Sequence, residues 1–136
     1  MNAAILYDTM TGHSRKLAKC LAEQTGLPAY DRRERPELPP CDRLFVVSGI
    51  YGGESKAELL DYVKSLPPDR VGRVILLTSS TRKAAQGSLR ATLETAGHTV
   101  DPEEFLCKGG FLFLAIGHPN RADLDEAARF VRGKLS

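Results

Sequence analysis

The sequence lacks any apolar run long enough to span a bilayer, which takes roughly 20 residues. Nothing charged precedes its first apolar stretch, and Asp8 breaks that stretch early. A secretory signal is therefore not expected, and the cytoplasm is the default location. The charge balance is also unremarkable, at net +2 with an isoelectric point near 8.5. That is too mild to argue for nucleic acid. The positive groups at Arg15, Lys16 and Lys19, at Arg32, Arg33 and Arg35, and at Arg82 and Lys83 are not interleaved with stacking aromatics. They read as solvated helix and loop faces. There is no C-x-x-C pair and no zinc-ligand spacing among Cys20, Cys41 and Cys107, so no metal site is expected. Three widely spaced thiols fit a reducing compartment. Cys20, on a helical stripe, and Cys107, in an apolar run, read as small core residues. Internal repeats and low-complexity segments are missing as well. So are paired carboxylates or a nucleophile set for hydrolase or transferase chemistry.

What is present is an alternation of two hydrophobic periods over 136 residues, a length that fits a single domain, 1–136. Ala3–Tyr7 is a continuous apolar run, as in a strand buried on both faces. Residues 14–25 follow with helical spacing, Leu17, Ala18, Leu21 and Ala22 on one face and Arg15, Lys16, Lys19 and Glu23 on the other. Gly26 and Pro28 end that helix, and 28–31 is a short strand. "RRERPELPP" is polar and proline-rich and reads as a surface loop. Residues 44–48 form the next buried strand. Ser55 and Glu58 have capping-box spacing ahead of a helix with Leu59, Leu60, Val63 and Leu66 inward. A strand over 71–78, a helix over 88–96 stopped by Gly97, and an extended 99–107 follow. Glu103 and Glu104 there should point to opposite faces. The last helix starts near Asn120, with Leu124, Ala127, Ala128, Val131 and Leu135 inward. His98, just past a helix stop, is expected to be exposed.

Strand–helix alternation to the end implies parallel strands joined by right-handed crossovers. The predicted fold is α/β, a three-layer, doubly wound, five-stranded parallel sheet. Such sheets bind ligands at the carboxyl ends of their strands. Three loops rich in Gly, Ser or Thr fall on that edge, over residues 8–14, 49–53 and 79–87. In the first, "DTMTGHS", Gly12 has backbone freedom that lets successive N–H groups face one concavity. Thr9, Thr11 and Ser14 add hydroxyls, and the following helix adds its positive end. The loop matches neither G-x-x-x-x-G-K-[ST] nor G-x-G-x-x-G. Taken alone, a Thr/Ser helix cap and a phosphate cradle are equally good readings.

"TMTGHS" resembles the flavodoxin phosphate signature [ST]-x-T-G-x-[ST], directly after the first strand as in that family. "VVSGIYGG" is similar to the loop after the third strand of small flavodoxin-family proteins, and "EFLCKGG…GHPNRADLDEAARF" to their closing segment. The resemblance implies strand order 2-1-3-4-5 and a non-covalent FMN site. Thr9, Thr11, Gly12, His13 and Ser14 would hold the phosphate, with backbone from Met10. Ser48, Gly49, Ile50, Tyr51, Gly52 and Gly53, and Thr78, Ser79, Ser80 and Thr81, would flank the ribityl chain and ring. Tyr51 is the aromatic placed to cover a flavin face, against a plain loop tyrosine as the alternative. The glycines beside it would let a peptide flip toward the reduced ring, so that the protein tunes the flavin without a catalytic side chain of its own. His13 stands where the family often has asparagine. His118, in "GHPN", reads as part of a helix-entry turn.

The resemblance implies an electron-transfer flavoprotein working between a reductase and an acceptor. Electron-shuttle flavodoxins are usually strongly acidic, and this chain is slightly basic. Its loop over 79–87 lacks the aromatic that often covers the second ring face. An FMN-dependent oxidoreductase acting on a quinone or protoporphyrinogen is the alternative, and a flavin-free interaction domain is a third reading. The apolar segment 109–117 either completes the fifth strand or forms a patch for a homodimer or docked partner.

Overall fold

The computed structural model describes residues 2–8, 13–49, 57–79, 87–107 and 121–135. Five strands form one parallel sheet: β1 (Ala3–Tyr7), β2 (Ala29–Asp31), β3 (Cys41–Gly49), β4 (Val71–Ser79) and β5 (Val100–Cys107). Their spatial order is β2-β1-β3-β4-β5, as the sequence reading expected. Among the described residues four helices connect and close them: α1 (His13–Thr25), α2 (Ala57–Lys64), α3 (Gly87–Thr95) and α4 (Arg121–Leu135).

The sheet divides the apolar residues by parity, because successive strand side chains point to opposite faces. Ile5, Phe45, Val47, Ile75 and Leu77 pack with Leu17 and Leu21 of α1 and Ala127, Ala128 and Val131 of α4. Ala4, Leu6, Leu44, Val46, Val74 and Leu76 pack with Leu59 and Val63 of α2 and Leu89 and Leu93 of α3. Burial on both faces is why the strands read as continuous apolar runs. Tyr62 joins the inward face of α2 at 3% exposure, a position the helical-stripe reading did not include.

Glu103 and Glu104 do face opposite layers. Glu104 accepts from Arg90 of α3 at 2.8 Å. Glu103 accepts from Lys134 of α4 at 2.6 Å. Pro102 does not break β5. The pairing with β4 instead jumps from Val74↔Val100 to Leu76↔Glu104 around it. A strand at the end of the sheet tolerates the missing N–H.

Two expectations are corrected. His98 is buried, at 5% exposure, not exposed. Gly97, with φ +96, turns the chain out of α3, and His98 then folds back onto Leu66. The segment after β2 is not wholly a surface loop with solvated arginines. Asp31 accepts from Arg33 N at 2.9 Å and caps a 3-10 turn over Arg32–Glu34, inside which Arg32 is 7% exposed. Further along, Leu38 is buried, and the Tyr62 hydroxyl donates to the carbonyl of Pro36, which ties this segment to α2. The expected cap at Ser55 and helix entry at Asn120 lie outside the described residues, as do His118 and the segment 109–117.

Candidate functional site at the carboxyl edge

All five strands run the same way, so their carboxyl ends share one edge. From β1 the chain passes through α1, on one face, to β2. From β3 it passes through α2, on the opposite face, to β4. The direction of winding therefore reverses between β1 and β3. Helices α1 and α2 lie on opposite faces at this switch point, the place where sheets of this kind take ligands.

Helix α1, which follows β1, begins at that edge. Its unpaired N–H groups make its N-terminus partially positive. A helix start usually carries acidic residues to match. Here the first turn has none, and its sequence is His-Ser-Arg-Lys. Arg15 and Lys16 at a positive helix end are unfavourable unless an anion compensates. Of the residues named for the phosphate, His13 and Ser14 form this first turn, while Thr9, Met10, Thr11 and Gly12 lie outside the described residues.

On the neighbouring strands, Ser48 pairs in register with Thr78, and Gly49 with Ser79. Ser48 and Thr78 are buried, at 1% and 0% exposure, and close the ends of β3 and β4 beneath the edge. The structure thus brings His13, Ser14, Ser48, Gly49, Thr78 and Ser79 to one edge. Ile50, Tyr51, Gly52, Gly53, Ser80 and Thr81 lie outside the described residues.

Two residues that sequence reasoning did not name as a pair meet just past the ends of β1 and β2. Tyr7 and Asp31 end β1 and β2 in register, so Asp8 and Arg32 leave the sheet side by side. Asp8 N donates to the carbonyl of Val47 at 3.0 Å, extending β1 against β3 by one residue. Arg32 Nη2 donates to Asp8 Oδ1 at 3.2 Å, with side-chain exposures of 8% and 2%. Arg32 Nε is buried without an acceptor among the described residues. The next carboxylate, Asp31, is held below the usual range by the Arg33 guanidinium bonded to it.

A cavity of about 320 Å³ lies elsewhere, at the amino ends of β3 and β4, lined by Arg35, Leu38, Tyr62, Leu66, Arg70 and Val71 among others. It contains none of the cofactor residues named above. Among the described residues no cluster of His, Cys, Asp or Glu could hold a metal ion, and no helix is long and apolar enough to cross a membrane.

No family model and no curated protein matches the sequence. Solved structures do match its fold. A short-chain flavodoxin associated with a non-canonical PDU bacterial microcompartment superposes with a TM-score of 0.61 at 16% identity, over 98% of this chain and 96% of that one. Oxidised Flavodoxin 2 from Bacillus cereus gives 0.66 at 15% identity, over 96% and 94%. RosB, solved with bound 8-demethyl-8-formylriboflavin-5'-phosphate, gives 0.61 at 12% identity, over 96% and 75%. The fold is the flavodoxin-like α/β fold.

Proposed function

We propose that the protein binds FMN at the carboxyl edge and carries electrons between a reductase and an acceptor. The observation that carries this reading is the start of α1. A helix end with two basic residues and no acid in its first turn opens at the switch point between β1 and β3. The flavodoxin signature "TMTGHS" leads into that helix. The same fold holds a riboflavin phosphate derivative in RosB.

On this reading Thr9, Thr11, Gly12, His13 and Ser14 hold the phosphate through backbone N–H groups and hydroxyls, with Met10 adding backbone. A protonated His13 would be attracted by the phosphate and repelled by the helix end. Residues 48–53 and 78–81 flank the ribityl chain and ring, and Tyr51 covers one face. Bound FMN supplies one- and two-electron transfer. The glycines beside Tyr51 would let the backbone tune that chemistry, with no catalytic side chain from the protein.

The test is a visible absorption spectrum of the purified protein after addition of FMN and desalting. Retained flavin bands support the reading. A colourless protein overturns it and favours an interaction domain on the same fold. If flavin is retained, steady-state turnover of a quinone by NAD(P)H would mark an oxidoreductase with its own substrate in place of a carrier.

A further inference from the structure

The cavity at the amino ends of β3 and β4 lies a strand's length from the proposed cofactor edge and has no part in it. Its volume, about 320 Å³, falls at the lower end of the range that takes small molecules. Its buried lining is apolar and aromatic: Leu38, Leu66, Val71 and Tyr62. Its walls are stiff. Pro36, Pro39 and Pro67 line it, and the Tyr62 hydroxyl donates to the carbonyl of Pro36. A ligand entering it would lose little to ordering of the protein.

The polar lining is one-sided. The Tyr62 and Ser65 hydroxyls already donate to backbone carbonyls, those of Pro36 and Tyr62. The side-chain donors left over are the guanidiniums of Arg35 and Arg70. Arg32 and Arg33, from the same segment as Arg35, are paired with Asp8 and Asp31. Among the described residues the Arg35 and Arg70 guanidiniums have no carboxylate partner, and Arg35 has only the Tyr62 ring, 5.8 Å away. Arg35 also holds φ 45 and ψ 57, a left-handed conformation that glycine takes at lower cost. It is the one non-glycine residue with positive φ among those described. The chain thus carries a side chain where the backbone favours none, and that side chain lines the cavity. The acid beside it is Glu37. Two cations against one carboxylate leave a single positive charge on the lining, which matches a monoanion better than a dianion.

We propose that this cavity is a second ligand site, for a small molecule with a flat apolar body and one carboxylate. The body packs among Leu38, Tyr62, Leu66 and Val71. The carboxylate takes charge-assisted hydrogen bonds from Arg35 and Arg70, whose planar guanidiniums suit it. Glu37 disfavours a phosphate in the same place. The site stands whether or not the protein binds FMN.

The experiment titrates the purified protein with cinnamate, and follows backbone amide shifts by NMR. Cinnamamide, its neutral counterpart, and phenyl phosphate, a dianion of similar size, are titrated beside it. Cinnamate should bind with a Kd of about 1 mM or tighter, as expected of about a dozen heavy atoms, and shift the amides of Arg35, Leu38, Leu66 and Val71. Cinnamamide and phenyl phosphate should each bind at least about fivefold more weakly. Arg35→Gly removes the guanidinium and suits the backbone, and Arg70→Met keeps an apolar stem. Each should weaken cinnamate about 5- to 10-fold and leave cinnamamide within about twofold. Circular dichroism establishes that each variant is folded, and Arg70→Met decides alone should Arg35→Gly not fold. Absence of saturable shifts at these amides, or saturable shifts centred elsewhere, overturns the proposal. Equal affinity for cinnamamide, tighter binding of phenyl phosphate, or unchanged cinnamate affinity in a folded variant overturns it as well. Cinnamate binding should be the same with and without added FMN, so a protein that retains no flavin sinks the cofactor reading alone.

Discussion

His98 Nε2 lies 3.1 Å from the carbonyl oxygen of Leu66, joining the turn after α3 to the turn after α2 across 32 residues of chain. A carbonyl only accepts, so Nε2 carries the proton and Nδ1 is the bare ring nitrogen. Nδ1 is buried with no partner among the described residues.

That arrangement makes stability depend on pH. Burial pushes the His98 imidazole below its ordinary value, outweighing the Leu66 hydrogen bond. The unfolded chain takes up the proton near pH 6.5, and the folded protein only at lower pH. Below about pH 6.5 the unfolded state therefore binds more protons, and stability falls as the pH drops toward the folded value. Urea midpoints at about pH 7.5 and 5.5 measure this. His98→Gln keeps a donor for Leu66 without a titrating ring and should lose less stability between them. An equal loss in both proteins would remove His98 as the cause.

Gly72 and Gly133 should respond to alanine in opposite directions. A Cβ at Gly72 would stand 2.6 Å from the backbone carbonyl oxygen of Asp42, where strands β3 and β4 begin. Neither backbone can withdraw without disturbing the ladder, so Gly72→Ala should cost about 1–3 kcal/mol. Gly133 lies in α4 with nothing within 4 Å of its Cβ position, and Gly133→Ala should add about 0.5–1 kcal/mol. Urea unfolding of the two variants beside the wild type measures both.

Thr11→Asp should abolish FMN binding. It places a carboxylate in the loop that the proposed function assigns to the phosphate, and two like charges at close range are strongly unfavourable. Fluorescence titration with FMN is the measurement. Unchanged affinity would remove 9–14 as the phosphate loop.

The layers were legible in the sequence because burial on both faces writes an unambiguous signal. The runs at 3–7, 44–48 and 71–78 all became inner strands, with ends shifted by at most a few residues. What was not legible depended on partners distant in the chain. Arg32 sits among other arginines and reads as solvated. It is buried against β1 with Asp8 as its ion-pair partner, and the one local hint is an acid closing an otherwise apolar strand. His98 reads as exposed because it follows Gly97, and only the approach of Leu66 buries it. Of the candidate site, the edge and the helix start were legible from the order of elements alone. The Asp8–Arg32 pair was not, because it depends on β2 lying beside β1 in a register that no local motif states.

Pro102 has a consequence for how copies of this chain meet one another. An outer strand with a long run of unsatisfied N–H and C=O groups recruits further strands and seeds aggregates. The β2 edge is three residues long and passes straight into a 3-10 turn. The β5 edge carries a proline, which has no N–H to offer, beside the exposed Glu103 bound to Lys134. Among the described residues neither margin offers a long, uncharged template, which disfavours strand-by-strand polymerisation at both ends of the sheet.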